Sequence, residues 1–355
     1  MALKKYPGLM YGRVWFTGLL MLLLHGAVTA QDPQFSQFYA APLYLNPAFT
    51  GSTNQTRVGL NYRNQWPSID GNFTTMSVYA DHFMEDINSG IGIIINRDVE
   101  GLAGLQSVNV GLQYAYEMFI TENLGFRPGA QVAVYRRSMN FDKLTFGSEY
   151  DPATGLFTNP SGETFNSNFS KTFVDLSLGG LFFTKVAYLG IAAYHLNQPN
   201  QSVIDEDSPL PMKLSVHGGF KYFMKPGAVG SGIYAREAER SIGPAFQYRH
   251  QGQFDQMDLG LYYTAEPLVL GLWYRGVPFK KVNDFVNNES IVLLLGFTRI
   301  GQKQALSIGY SFDYTISKLT ARSGGAHEFS LSYTWPTRNP RKPPKSKMVI
   351  PCPDF

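Results

Sequence analysis

Apolar and polar positions along this chain alternate with a period of two. Val108, Val110, Leu112, Tyr114 and Tyr116 are apolar or aromatic, and Asn109, Gly111, Gln113 and Ala115 between them are small or polar. Leu306, Ile308, Tyr310, Phe312 and Tyr314 alternate in the same way with Ser307, Gly309, Ser311 and Asp313. Phe329, Leu331, Tyr333 and Trp335 alternate with Glu328, Ser330, Ser332 and Thr334. Successive side chains of a strand point to opposite faces, so each such segment predicts a strand with one apolar and one polar face. No useful length of helix period follows residue 30. The strands predicted on this basis are 56–63, 73–82, 89–96, 105–117, 122–137, 172–183, 186–197, 212–224, 241–250, 255–264, 267–276, 289–298, 304–315 and 326–335.

A soluble sandwich alternates as well, and three features favour a membrane instead. The polar face is rich in Gly, Ser, Ala and Asn and poor in the Lys and Glu of a solvated face. The segments run about ten residues, the length a tilted strand needs to cross a bilayer. Tyr, Phe and Trp gather at strand ends, where aromatic girdles sit. The expected fold is therefore all-β, a transmembrane antiparallel barrel of about fourteen strands over residues 56–335. An even strand number puts both ends of the sheet on one side. The turns Thr184-Lys185 and Ala265-Glu266 are tight. The connections Ser138 to Lys171, Gln198 to Pro211 and Val277 to Asn288 are long and fall on the opposite side. That asymmetry predicts long loops outside and both termini in the periplasm. The connection Lys225 to Arg240 is long on the side that should carry short turns.

Three segments fall outside the barrel. Residues 1–30 read as a secretory signal peptide: Lys4, Lys5 and Arg13, then the apolar run Val14 to Leu24, then Val28-Thr29-Ala30 before Gln31. Residues 31–55 carry Pro33, Pro42 and Pro47, which break strand ladders. Their aromatics Phe35, Phe38, Tyr39, Tyr44 and Phe49 predict a plug or periplasmic-mouth cover packed on an apolar lumen wall. Residues 336–355 hold six prolines and five basic residues. They predict an extended periplasmic tail of about 60 Å, with Met348, Val349, Ile350, Cys352 and Phe355 as its docking end.

Composition agrees with this reading. Charged residues are 16% and aromatics 14% of the 355 residues, too little charge and too much aromatic content for a disordered chain. Removing the leader takes away three basic residues and leaves basic and acidic residues balanced, so nothing calls for nucleic acid. The single cysteine, Cys352, cannot pair within the chain. His82, His195, His217, His250 and His327 fall in predicted strands without a nucleophile or metal spacing, which reads as lumenal or interfacial histidine rather than an enzyme. Asp205-Glu206-Asp207 lacks the glycine of a calcium loop and reads as a solvated loop. No cofactor is called for.

Particular stretches carry a resemblance. Gln31-Asp32-Pro33-Gln34-Phe35-Ser36-Gln37-Phe38-Tyr39, followed by Pro42-Leu43-Tyr44-Leu45-Asn46-Pro47-Ala48-Phe49-Thr50-Gly51, resembles the start of the PorP/SprF family of the type IX secretion system. Leu270 to Gly276, Gly309 to Leu319, Gly325 to Tyr333 and the end Pro351-Cys352-Pro353 resemble it as well; the middle of the chain carries no such motif. The resemblance implies a non-enzymatic outer-membrane protein needed for export, surface anchoring or movement of a surface protein. That cargo is often a large adhesin with a dedicated C-terminal signal domain. Some relatives instead link the outer membrane to periplasmic or lipoprotein components of the apparatus. The implied partners are thus a type IX cargo, the apparatus and outer-membrane lipid. On this reading the long loops grip cargo, with Phe146, Tyr150, Phe157, Phe165, Phe279 and Phe285 as anchors, because binding residues concentrate on loops of a rigid scaffold. A passive porin is the competing reading, weakened by the small, uncharged residues expected on the inner wall.

Overall fold

The computed structural model describes residues 32–102, 104–140, 144–157, 169–204, 207–225, 227–229, 236–282, 285–300, 304–317, 321–336 and 350–351. The expected leader, residues 1–30, lies outside them, as do Phe165, Asp205, Glu206, Met348, Val349, Cys352 and Phe355. Long strands follow one another as β1 (Thr56–Gln65), β2 (Phe73–Met84), β3 (Ser89–Glu100), β4 (Leu105–Tyr116) and β5 (Leu124–Met139). Then come β6 (Phe169–Phe183), β7 (Ala187–Tyr194), β8 (Lys213–Phe220), β9 (Arg240–Gln251) and β10 (Phe254–Ala265). The series ends with β11 (Leu268–Val282), β12 (Phe285–Ile300), β13 (Ala305–Thr315) and β14 (Ala326–Trp335). Each pairs antiparallel with the next, and β14 returns to β1, with Thr56 opposite Trp335 and Gln65 opposite Ala326. The result is a closed fourteen-strand antiparallel barrel. Closure leaves no edge, which lipid requires, since an unpaired backbone group in hydrocarbon costs several kcal/mol.

The alternation decides where the barrel sits. On β4 the sequence Asn109, Gly111, Gln113 and Ala115 is buried, and Val110, Leu112, Tyr114 and Tyr116 are exposed. Mid-strand leucines behave alike on separate parts of the barrel: Leu112 is 65% exposed, Leu293 57% and Leu272 55%. A soluble protein buries its apolar face; here the polar face is inside and the apolar face outside, the arrangement of a membrane barrel. No helix among the described residues is long and apolar enough to cross a membrane, so the strands do the crossing.

All fourteen predicted strands are present, with boundaries shifted by a few residues. The connection expected as a loop over Val277–Asn288 is mostly strand: β11 runs to Val282 and β12 starts at Phe285. The ladder shifts register between Arg275 and Gly276 and again between Val277 and Lys281. Gly276 (φ 145°) and the following proline break the alternation locally, so the pattern fades although pairing resumes beyond the bulge. Phe279 and Phe285 therefore belong to an extended hairpin and not to a loose loop. The long connection after β8 is also explained: it contains a second hairpin, Gly227–Val229 with Arg236–Ala238.

The two barrel ends are distinct. One, the terminal end, carries Thr56 and Trp335 and the turns after β2, β4 and β6. The other, the loop end, carries the connections after β1, β5 and β7. Replacing Leu272, whose cross-strand neighbours are Leu261 and Leu293, by Arg places a charge on the apolar band. A loss of about 2–4 kcal/mol is expected if it sits near the bilayer midplane, measured by urea unfolding from lipid vesicles; a loss under about 1 kcal/mol would place Leu272 outside the band.

Candidate functional site

The barrel interior is occupied by the chain's own N-terminal segment. It folds as α1 (Pro42–Leu45) and a single 3-10 turn, Pro47–Phe49. Both begin with proline, which suits a first helical position because no N–H is needed there. Asn46 caps the second by accepting from the Ala48 N–H at 2.9 Å. Phe35, Phe38, Tyr39 and Phe49 are each buried, and Tyr44 is partly so. Phe35 meets Tyr44 edge-on at 5.1 Å, Phe38 meets Trp273 at 4.8 Å, and Phe49 stacks on His217 at 5.7 Å.

Polar anchors fix the segment at two levels. In the loop half, the Glu328 carboxylate accepts from the backbone N–H groups of Ser36 (2.7 Å) and Gln37 (2.9 Å). The Ser36 hydroxyl donates to Asp313 (2.6 Å) and accepts from Arg63 (2.7 Å) and Arg275 (2.9 Å). Arg63 also pairs with Asp313 at 2.9 Å, and Arg275 with Asp258 at 2.7 Å and Asp313 at 2.9 Å. Gln37 accepts from the Ser330 hydroxyl at 2.7 Å. Gln34 bridges Arg249 (2.6 Å) and Glu289 (3.2 Å). In the terminal half, Arg127 pairs with Glu117 at 2.6 Å and donates to the Ala48 and Thr50 carbonyls. The Gly51 N–H donates to Asp81 at 2.7 Å, a carboxylate gripped by Arg57 through two bonds of 2.9 and 3.0 Å.

The wall makes room where the backbone comes closest. A Cβ at Gly129 would lie 2.4 Å from the Ala48 nitrogen, at Gly90 2.0 Å from the Thr50 carbonyl oxygen, and at Gly179 1.9 Å from the Asn46 side chain. Those separations are far inside contact distance, so only glycine fits there.

Two expectations change. The inner wall is not restricted to small uncharged residues, because Arg57, Arg63, Arg127, Arg275, Asp81, Asp258, Asp313 and Glu328 all face inward and are buried. They are tolerated because each is paired and hydrogen-bonded. The segment is also no mouth cover: Gln34 and Ser36 sit in the loop half, and the chain then passes the interior before leaving at Thr56. Its seat is as much ionic as apolar. The aromatics were legible from the sequence, whereas Ser36, Gln37 and the ionic residues were missed. A usable signal existed, since a charged residue at an inward position of a membrane strand marks a functional candidate.

The long connection after β5 contains a small hairpin in which Tyr150–Asp151 pairs with Leu156–Phe157. Asp151 accepts from the Ala153 N–H (2.9 Å) and the Thr154 hydroxyl (3.0 Å); these bonds hold its carboxyl below the usual carboxylate range. Gly155 (φ 70°) makes the turn. Tyr150 and Phe157 lie 5.3 Å apart and stay exposed, at 45% and 59%, beside exposed Leu156. Phe146 is half-buried, next to the 3-10 turn Gly147–Glu149. The structure thus brings Tyr150 and Phe157 together. It places Phe279 and Phe285 on a different hairpin, between β11 and β12. Ile350 is not free in a tail but buried in the barrel with Tyr39 and Trp273.

Residues 27–333 match the family described as type IX secretion system membrane protein PorP/SprF. The chain belongs to the PorP/SprF family. It is thus an outer-membrane barrel of the type IX secretion system, a kind of component that is not an enzyme. No curated protein matches the chain significantly. Among solved structures it is similar to a Pseudomonas aeruginosa FadL homologue, at 11% identity and TM-score 0.43, covering 82% of this chain and 93% of that one. It is also similar to the Pseudomonas putida toluene transporter TodX, at 10% identity and TM-score 0.44, covering 86% of this chain and 95% of that one. Likeness at that level says nothing of what the PorP/SprF barrel handles.

Glu328→Gln removes the charge facing Arg63 and one of the two side-chain oxygens that accept from the Ser36 and Gln37 N–H groups. Breaking a buried pair in this way costs about 3–5 kcal/mol. The expected outcome is a folded barrel whose segment is cleaved by chymotrypsin at Phe38 and Tyr39, with the exposed-rim variant Glu122→Gln still protected. Equal protection of the two variants would show that Glu328 does not hold the segment.

Proposed function

We propose that this PorP/SprF barrel is a plugged, non-conducting partner for a secreted surface protein, which it binds, anchors or helps export through the cargo's C-terminal signal domain. The observation carrying the proposal is the occupied interior: a segment buried from Phe35 to Thr50 except at Tyr44, which is partly so, and tied to opposite walls leaves binding to the surfaces and loops. On this reading the loop end faces the cell exterior and the terminal end the periplasm, because the loop end carries the longest connection, residues 140–168 between β5 and β6. Residues 1–30 act as the signal peptide that directs the chain there. Adhesin-like cargo, and through it gliding motility, follow from the family.

Tyr150 and Phe157 are the best-placed cargo anchors. They are exposed, mutually packed aromatics on a hairpin within the longest connection, and aromatics of this kind dominate interfaces. The basic, proline-rich stretch 336–349 suits a contact with periplasmic or lipoprotein parts of the apparatus, where its charges steer association. The barrel then couples cargo on one side to the apparatus on the other.

Two measurements test this. In planar bilayers the wild-type barrel is expected to show no porin-like conductance, and deletion of residues 33–51 to raise conductance at least tenfold. Open-channel conductance in the wild type would favour a passive porin. Pull-down from native membranes is expected to recover a surface protein with wild type and at least tenfold less with Tyr150→Ala/Phe157→Ala, a loss of about 1.4 kcal/mol. Recovery of apparatus proteins alone, unaffected by the loop variant, would favour the linking role over cargo binding.

A further inference from the structure

A second piece of chain enters the barrel beside the N-terminal segment. Ile350 is only 7% exposed and belongs to the apolar cluster that contains Phe38, Tyr39, Ala245 and Trp273. Pro351 lines a cavity at the terminal end with Tyr188, Phe220, Lys221, Pro244 and Tyr262. That cavity has a cause in the sequence. β8 and β9 pair as far as Gly219 opposite Ala245, and pairing resumes only at Tyr222 opposite Ile242. The missing steps face Gly243 and Pro244. Proline has no N–H to contribute to a ladder, and glycine has no side chain to fill the gap. The Lys221 N–H is turned away, donating to the Val186 carbonyl at 2.7 Å. A slot is left in the wall, floored by aromatic rings.

The rings beside Pro351 are also the seat of the N-terminal segment. Tyr39 packs edge-on against Tyr188 at 5.6 Å and against Tyr262 at 6.1 Å, and donates to the Gly218 carbonyl at 3.3 Å. The tail and the segment therefore share one pair of tyrosines.

We propose that this slot is the docking site of the chain's own Ile350–Pro351, and that the docked tail holds the N-terminal segment inside the barrel. The slot's chemistry selects an aliphatic side chain followed by proline: aromatic rings take the first, and a residue without an N–H leaves no donor unpaired in the second. Pro336, Pro340, Pro343 and Pro344 restrict the connecting chain, so docking orders less freedom. The covalent tether keeps the effective concentration of the tail high. Tail release uncovers Tyr188 and Tyr262 and loosens the packing around Tyr39, which links events at the terminal mouth to the segment anchored in the loop half.

The test uses the full chain folded in detergent, with Cys352→Ser as background. Pro351→Cys is combined in turn with Ser241→Cys and with Ala245→Cys, both in the cavity wall, and with Leu272→Cys on the lipid face as control. Mild oxidation is expected to form a disulfide with a cavity position and none with the control; no cavity disulfide in a folded barrel would overturn the docking site. Chymotrypsin cleavage at Phe38 and Tyr39 is then compared between the full chain, a truncation after Thr337 and Ile350→Asp. At least a tenfold faster cleavage is expected in both variants. If the truncated chain does not fold, Ile350→Asp decides alone. A cavity disulfide with unchanged cleavage would overturn the holding role.

Discussion

A ring of fourteen strands is too wide for its own inward side chains to fill, and the rest of this structure depends on how that space is closed. Eight-stranded barrels can fill themselves with side chains, whereas porins of sixteen to eighteen strands leave water-filled channels and wider barrels carry a plug. Here the space is taken by Pro33–Gly51 and by Ile350. A segment that enters a polar lumen must satisfy its backbone there. The wall therefore supplies acceptors and donors at matching heights: Glu328 for the Ser36 and Gln37 N–H groups, Arg127 for the Ala48 and Thr50 carbonyls, Asp81 for the Gly51 N–H. Glycines at 90 and 129 withdraw side chains where the two backbones meet, and Gly179 makes room for the Asn46 side chain.

The ionic clusters set orientation more than stability. A buried ion pair recovers little more than the desolvation of its members, but leaving one member alone is costly. Ser36 satisfies Arg63, Arg275 and Asp313 with a single hydroxyl, and a shift that put Phe35 in its place would leave two guanidinium groups facing an apolar ring. The aromatics contribute burial without register, because a ring packs acceptably in several positions. Register comes from the polar contacts, and the combination defines one seat.

On the proposed reading, a filled, tied interior leaves the outer face and the two ends of the barrel to meet other molecules. The outer face is apolar and given to lipid. The loop end presents the Tyr150–Phe157 hairpin and the long β11–β12 ribbon. The terminal end presents the slot opened by Pro244, together with the hairpin after β8. Each end thus carries a hairpin that the barrel does not need for closure.

Local alternation along the chain was enough for the strands, their number, their faces and the membrane setting, because a strand's side-chain period depends only on its own residues. Leu112, Leu272 and Leu293 are legible as one face in that way, and the aromatics of residues 31–55, interrupted by prolines, are legible as something other than strand. The extended β11–β12 hairpin was hidden by Gly276 and Pro278, since a bulge erases the period while the ladder continues through bonds to a neighbour. Arg63, Asp313 and Glu328 read singly as inward polar positions. That Arg63 and Ser36 meet Asp313 and Glu328, from strands more than two hundred residues away in sequence, and that Ile350 shares a cluster with Tyr39, follow only from barrel closure. Closure brings β1, β13 and β14 side by side, and no property of the residues taken in order contains that adjacency.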